Sequence, residues 1–212
     1  MILYDYCRSS AAYRVRIALN LKGLVHEQIP VNLVDGEQSS QQHKQRNPQG
    51  LVPSLEENQR IFNQSLAIME YLDEAYPSSY SLLPEDVNER ARVRALSLTI
   101  ACDIHPLNNL RVLKYLTGTL AVTEQQKLEW YSHWITEGFA ALEKTLAESE
   151  STGRFCHGDK PTLADICLVP QVFNAKRFNV SLDDFPTINR IVEACDKLMA
   201  FKTAHPSEQA DA

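Results

Sequence analysis

The sequence predicts a mixed α/β N-terminal domain, residues 1–82, followed by an all-α C-terminal domain, residues 88–212. Three observations carry that expectation. Over roughly the first eighty residues, short runs of period two alternate with segments of helical spacing. Beyond Asn88 the strand pattern stops and only helical spacing continues. Between the two, the stretch from Pro77 to Asn88 is dominated by proline, serine and acidic residues, the composition of a linker.

The elements follow in order. Ile2-Leu3-Tyr4-Asp5-Tyr6 reads as the first strand. Val15, Ala18, Leu19 and Lys22 then recur at helical spacing, and Gly23 is the stop. A second strand is expected near Glu27 to Val31. The polar stretch from Glu37 to Arg46 reads as a short helix or a loop. Two short strands follow, near Ser54 to Glu57 and Arg60 to Asn63, with Asn58 in the turn between them. A helix is expected from Ser65 to Tyr76, ended by Pro77. This βαβαββα order is that of a thioredoxin-like domain. In the second domain, helices are expected over Glu89 to Leu116, Glu124 to Glu148, Leu163 to Lys176 and Pro186 to Met199. Thr162 and Asp165, three positions apart, read as a cap for the third of these. Trp130 and Trp134, at i and i+4, read as core or interface packing. The segment from His205 to Ala212 reads as a frayed tail.

Composition excludes several classes of function. A chain of 212 residues can bury one large core or two modest ones. A net charge of −6 leaves no basic surplus to neutralise phosphates, so no nucleic-acid partner is expected. No apolar run approaches the ~20 residues of a membrane helix, and no membrane association is expected. The chain enters a strand at once, which reads as no signal peptide. Five cysteines lie far apart, without C-x-x-C or metal-ligand spacing. That pattern fits reduced thiols and a cytoplasmic protein. Six histidines form no H-E-x-x-H or similar cluster, so no metal is expected.

The chemistry is concentrated at Arg8-Ser9-Ser10-Ala11-Ala12-Tyr13-Arg14-Val15-Arg16-Ile17-Ala18-Leu19, where the first strand hands over to the first helix. A helix start offers unpaired N–H groups and a partial positive charge, which favour an anion. Ser9 and Ser10 add two hydroxyl donors. One serine there is an ordinary N-cap. No cysteine or histidine lies within the segment to act as nucleophile, so the anion is expected to come with a bound molecule, a thiolate being a good candidate.

The same segment resembles the signature S-S-C-x-x-R-V-R-I-A-L of the zeta-class glutathione transferases, the maleylacetoacetate isomerase family. Only Ala11 departs from it, standing where the family has cysteine. The resemblance continues through Asn47-Pro48-Gln49-Gly50-Leu51-Val52-Pro53 and Asn63-Gln64-Ser65-Leu66-Ala67-Ile68-Met69-Glu70-Tyr71-Leu72. It goes on through His105-Pro106-Leu107-Asn108-Asn109, Gly158-Asp159-Lys160-Pro161-Thr162-Leu163-Ala164-Asp165 and Leu168-Val169-Pro170-Gln171-Val172 to Arg177-Phe178, and so covers essentially the whole chain in order.

What the resemblance implies is a glutathione transferase fold, a homodimer, and glutathione as cofactor. It implies that Val52, before a cis Pro53, presents its backbone to the cysteinyl unit of glutathione. It places the γ-glutamyl carboxylate at Gln64 and Ser65, and adds glutathione contacts for Ser10, Gln38, Gln49, His105, Asn109 and Arg111. Under the bare reading, Ser65 is simply an N-cap and Pro53 simply bounds a strand. Arg8, Arg111 and Arg177 are the candidate carboxylate binders, with Arg8 and Arg177 favoured, because guanidinium pairs with carboxylate through two parallel hydrogen bonds. Arg14 and Arg16, inside the helix, are assigned to structural ion pairs.

The implied reaction is a glutathione-dependent cis–trans isomerisation of a small carboxylated cis-enedione, maleylacetoacetate, in tyrosine and phenylalanine catabolism. Ser9, Ser10, Arg8 and Arg177 are the expected catalytic residues, and Ser10 is expected to matter more than Ser9. Two enzyme alternatives stand beside it: isomerisation of maleylpyruvate in gentisate breakdown, and general transfer of glutathione to electrophiles or α-haloacids. A non-enzymatic binding protein is disfavoured, because the hydroxyls and anchors are retained.

Overall fold

Four strands form one mixed sheet in the order β2-β1-β3-β4: β1 (Ile2–Asp5), β2 (Glu27–Pro30), β3 (Ser54–Glu57) and β4 (Arg60–Asn63). β1 runs parallel to β2, pairing Tyr4 with Ile29. It runs antiparallel to β3, pairing Tyr4 with Ser54, and β3 returns through Asn58 and Gln59 to β4. The parallel step needs a crossover, and α1 (Ser10–Lys22) supplies it. The computed structural model describes residues 1–212.

Helix α1 is buried on nearly every face, including Arg14 and Arg16. Buried guanidinium groups need partners. Arg16 finds four: Asp5 Oδ2 at 2.8 Å and the carbonyls of Cys7 at 2.8 Å, Ala204 at 3.0 Å and Tyr6 at 3.5 Å. Burial pushes the Asp5 carboxyl up, and Arg16 opposes the shift. The ion pair expected of Arg16 is therefore present, and it ties β1 to the centre of α1. Gly23 ends the helix in the left-handed region, at φ 66°, as expected.

The polar stretch after β2 holds a 3₁₀ turn (Glu37–Ser39) and the short helix α2 (Gln41–Arg46). After β4 comes α3 (Ser65–Ala75), which packs on α1. On the sheet's other face, Tyr4, Val31 and Val52 form a small buried cluster flanked by Ile2, Tyr6, Ile29 and Leu33.

The chain divides into two units, Met1–Leu83 with Asp196–Ala212, and Pro84–Cys195. The sequence predicts the last segment as part of the helical domain, with a frayed end. Instead, α9 (Met199–Ala204) packs along α1. Asn20 Nδ2 donates to the Ala200 carbonyl at 3.1 Å and to Thr203 Oγ1 at 3.0 Å. The end of the chain is held as well: Gln28 Nε2 donates to Gln209 Oε1 at 3.1 Å.

The second unit is helical: α4 (Val87–Leu98), α5 (Leu110–Gly118), α6 (Glu124–Ala147), α7 (Leu163–Arg177) and α8 (Pro186–Cys195). The single helix expected over Glu89 to Leu116 is broken. A π-helical stretch (Thr99–Ile104) and a 3₁₀ turn (His105–Asn108) intervene, because Pro106 has no N–H to give and Asn109 caps a new helix. The helix expected over Pro186 to Met199 ends earlier, at Cys195, and a separate helix, α9, begins at Met199. The Thr162–Asp165 cap is present and buried: Asp165 accepts from the Thr162 N–H at 2.7 Å, the Thr162 hydroxyl at 3.0 Å and the Cys156 N–H at 2.8 Å. Trp130 and Trp134 pack edge to face, 5.6 Å between centroids. No helix is long and apolar enough to cross a membrane.

Candidate active site

Within the first unit, the loop between β1 and α1 carries the hydroxyls. Ser9 is the N-cap of α1, and its Oγ accepts the Ala12 N–H at 3.2 Å. That bond fixes the oxygen beside the helix start and leaves the hydroxyl proton to be donated outward. Ser10 is the first helical residue and is only 4% exposed, while Ser9 is half-buried. Of the two hydroxyls expected to act, that of Ser9 is therefore the more accessible. Cys7 does not replace the missing cysteine at Ala11. Its side chain is 1% exposed, and burial, with the Asp211 carboxylate beside it, pushes the thiol up.

A second helix start lies in the same unit. Gln64, not Ser65, is the N-cap of α3, and no side chain caps the helix. The orphan N–H groups of its first turn are left for an incoming acceptor. Gln64 sits at φ 72°, a region unfavourable for a residue with a Cβ. Its Nε2 donates to Gln49 Oε1 at 2.7 Å, so two of the expected contacts are joined directly. Ser65 is 6% exposed, and its hydroxyl accepts from Arg14 Nη1 at 3.3 Å. Arg14 thus supports the start of α3, as Arg16 supports β1.

Gln38 and the Val52-Pro53 segment complete this group. The Val52-Pro53 peptide is cis. Gly50, at φ 62°, lies so close to the Gln38 backbone that an added Cβ would stand 3.1 Å from the Gln38 carbonyl oxygen. Gln38 Oε1 is buried and takes no hydrogen bond within the chain. A buried acceptor of that kind fits a ligand with N–H groups to give.

The second unit holds the remaining expected residues. His105 opens the 3₁₀ turn, and Asn109 caps α5 by accepting the Arg111 N–H at 3.1 Å. Trp130 Nε1 donates to the Leu107 carbonyl at 2.9 Å and Asn108 Nδ2 to the Tyr131 carbonyl at 3.0 Å, fastening this segment to α6. Arg177 ends α7, 5.3 Å from the Phe178 ring, which stacks on Tyr131 at 3.9 Å. Burial pushes the Tyr131 phenol up, with Arg177 opposing it. Arg8, Arg111 and Arg177 are all exposed and form no ion pair with a carboxylate. The commonest fate of a surface arginine does not account for them. No cluster of three or more histidine, cysteine or acidic side chains stands close enough to hold a metal ion.

Comparison with known proteins decides the family. Residues 3–80 match the family model described as glutathione S-transferase, N-terminal domain, and residues 132–201 match the corresponding C-terminal domain. The chain is 50% identical to a probable maleylacetoacetate isomerase of Vibrio cholerae serotype O1, covering 100% of this chain and 98% of that one. The chain belongs to the glutathione S-transferase family. Among solved structures it is similar to the holo form of maleyl pyruvate isomerase, a bacterial zeta-class glutathione S-transferase. That likeness has a TM-score of 0.97 and 46% identity over 100% of both chains. It is equally similar in fold to the maleylacetoacetate isomerase of Methylobacterium extorquens AM1 with bound malonate and GSH, at TM-score 0.97 and 38% identity, covering 100% of this chain and 99% of that one.

The candidate site is only partly visible in sequence. The Gln49–Gln64 bond, the Arg14–Ser65 bond and the orphaned Gln38 oxygen lay beyond it. The signal for Arg14 was present, since an arginine amid Tyr13, Val15 and Ile17 on a buried helix must have a polar partner.

Proposed function

We propose that this glutathione transferase is a glutathione-dependent cis–trans isomerase that converts maleylacetoacetate to fumarylacetoacetate. Glutathione supplies a thiolate that adds to the cis double bond, permits rotation about the resulting single bond, and leaves to give the trans product. A free thiol has a pKa of about 8.5, so only a few per cent is ionised at neutral pH. Ser9 donates its hydroxyl proton to the sulfur, and the start of α1 adds its partial positive charge; together these favour the ionised form. Ser10 supports the turn from within the helix.

The rest of the first unit holds the tripeptide. The open start of α3, with Gln64 and Ser65, takes the γ-glutamyl carboxylate. Val52, before Pro53, takes the cysteinyl backbone, and Gln49 and Gln38 complete the contacts. In the second unit, His105, Asn109 and Arg111 are assigned further ligand contacts. The guanidinium groups of Arg8 and Arg177 are assigned to substrate carboxylates and to charge that develops on the substrate oxygen. The observation that carries the reading is the donor set around the starts of α1 and α3, in a chain alike along its full length to isomerases of this class.

Maleylpyruvate is the second reading. It is favoured by the TM-score of 0.97 and 46% identity to the maleyl pyruvate isomerase. The homodimer, the cytoplasmic location and the place in aromatic amino-acid breakdown belong to the same proposal. The test is to follow both substrates in the ultraviolet at saturating glutathione. A larger kcat/KM for maleylacetoacetate supports the reading. A larger value for maleylpyruvate replaces it, and conversion of neither rejects it. Sedimentation at micromolar concentration tests the dimer, and a stable monomer would contradict it.

A further inference from the structure

The Val52 N–H is useful to a ligand only if it points outward, and two buried side chains hold the peptide that decides its direction. The carbonyl of Leu51 and the N–H of Val52 belong to one peptide unit. That unit is trans, since the only cis bond in the chain is the next one, Val52-Pro53. In a planar trans peptide the C=O and N–H point in opposite directions. Fixing one fixes the other.

The Leu51 carbonyl is held twice. Asn47 Nδ2 donates to it at 2.9 Å, and His43 Nε2 meets it at 2.9 Å. A carbonyl only accepts, so His43 must carry a proton on Nε2. His43 Nδ1 is buried with no partner. An apolar side chain at this 2%-exposed position would avoid the cost of that orphan. What the histidine adds in exchange is one donor, aimed at Leu51. Asn47 is 3% exposed and organises the rest of the turn: its Oδ1 accepts the Gln49 N–H at 3.1 Å and its carbonyl accepts the Gly50 N–H at 2.9 Å. Beyond the peptide, the Val52 side chain is pinned in the cluster with Tyr4 and Val31.

We propose that His43 and Asn47 are positioning residues for glutathione: by gripping the Leu51 carbonyl from behind they aim the Val52 N–H at the cysteinyl carbonyl of the ligand. Two donors on one carbonyl also polarise the peptide and make its N–H a stronger donor. The inference rests on the assignment of Val52 to glutathione. Neither side chain touches the ligand, so both act on binding and leave the sulfur chemistry alone.

The test compares His43→Leu, His43→Gln and Asn47→Asp with the unaltered protein. Glutathione affinity is measured by calorimetry, and kcat and KM for glutathione by the isomerase assay. His43→Leu removes the donor, and His43→Gln returns an N–H near the place of Nε2. Asn47→Asp removes the other donor but keeps the acceptor for Gln49. The expected result is glutathione binding weaker by roughly three- to tenfold in His43→Leu and Asn47→Asp, with kcat unchanged at saturation and affinity restored in His43→Gln. A second arm uses a glutathione analogue whose cysteinyl carbonyl is reduced to methylene. The analogue binds the unaltered protein more weakly than glutathione does, and the two variants lose that discrimination.

Lowered kcat with unchanged KM in both variants would mean a merely structural role and overturn the inference. So would unchanged affinity. If His43→Leu does not fold, Asn47→Asp carries the comparison alone. Failure of the unaltered protein to bind glutathione would instead reject the underlying assignment, and equal binding of both ligands by the unaltered protein would reject the role of Val52.

Discussion

Cys7 and Asp211, 204 positions apart, are joined twice: the Cys7 N–H donates to the Asp211 carboxylate at 2.9 Å, and the Cys7 thiol donates to the Asp211 carbonyl at 3.1 Å. Cys7 stands one residue before Arg8 and two before Ser9. The end of the chain therefore braces the loop that carries the proposed chemistry, together with Arg16, which holds the Cys7 carbonyl from the other side.

The first prediction concerns that brace. Asp211→Ala removes a charge-assisted acceptor at a half-buried position and is expected to cost about 1 kcal/mol of stability. Asp211→Asn keeps an acceptor and costs less. The midpoint of urea unfolding measures both. Turnover should fall with Asp211→Ala and hold with Asp211→Asn. Equal stability and equal turnover in all three proteins would mean that the brace is idle.

The second prediction concerns the serines. Losing a hydrogen bond to a charged group costs about 1.5–3 kcal/mol, or roughly ten- to a hundredfold in rate if it is felt in the transition state. Ser9→Ala is expected to lower turnover in that range and to raise the pKa of bound glutathione, read from thiolate absorbance against pH. Ser10→Ala is expected to do neither to the same degree. The reverse ranking would return the role to Ser10.

Most of the fold was legible because it follows from local rules. The sheet could be read from period two and the stops from Gly23 and Pro77. The interruption at His105–Asn108 was not, because helical spacing on both sides masks a backbone break that only Pro106 announces. The docking of α9 and the tail was hidden for a different reason: Arg16, Asn20 and Cys7 take partners about 180 or more positions away. Of the site, the serines, Val52-Pro53 and Gln64-Ser65 stood out as motifs. The support beneath them, in His43, Asn47 and Arg14, depends on tertiary placement that spacing does not encode.

The third prediction tests the packing behind that interruption. A Cβ built on Gly138 in α6 would stand 2.4 Å from Ile104 Cδ1 and Cγ1, at the end of the π-helical stretch. Gly138→Ala gains up to about 1 kcal/mol of helix propensity but meets an overpacking cost of about 1–3 kcal/mol. Net destabilisation is expected in thermal melts. Ile104→Val combined with Gly138→Ala should recover part of it, and a more stable single variant would show that Ile104 yields freely.

The fourth prediction is a pH dependence. Asp86 caps α4, accepting the Asn88 N–H at 2.8 Å and the Glu89 N–H at 3.0 Å, and these bonds hold its carboxyl below the usual carboxylate range. The folded value lies below the unfolded one, so the native state binds fewer protons there. The stabilisation is fully present above the unfolded value of about 3.9 and is lost as pH falls through the folded value. Asp86→Asn keeps a neutral cap. The stability gap between the two proteins should be open at pH 6 and closed near pH 2. A gap that does not change with pH would contradict the assignment.

In the proposed reaction glutathione acts catalytically and is returned unchanged. The most direct measurement supplies maleylacetoacetate in large excess over glutathione and follows both to completion. Full conversion to the trans isomer is expected, with all of the glutathione recovered as free thiol, and no enzymatic conversion when glutathione is left out. Conversion that stops when the thiol is used up, with a stable conjugate accumulating, would contradict it and mark the protein as a transferase.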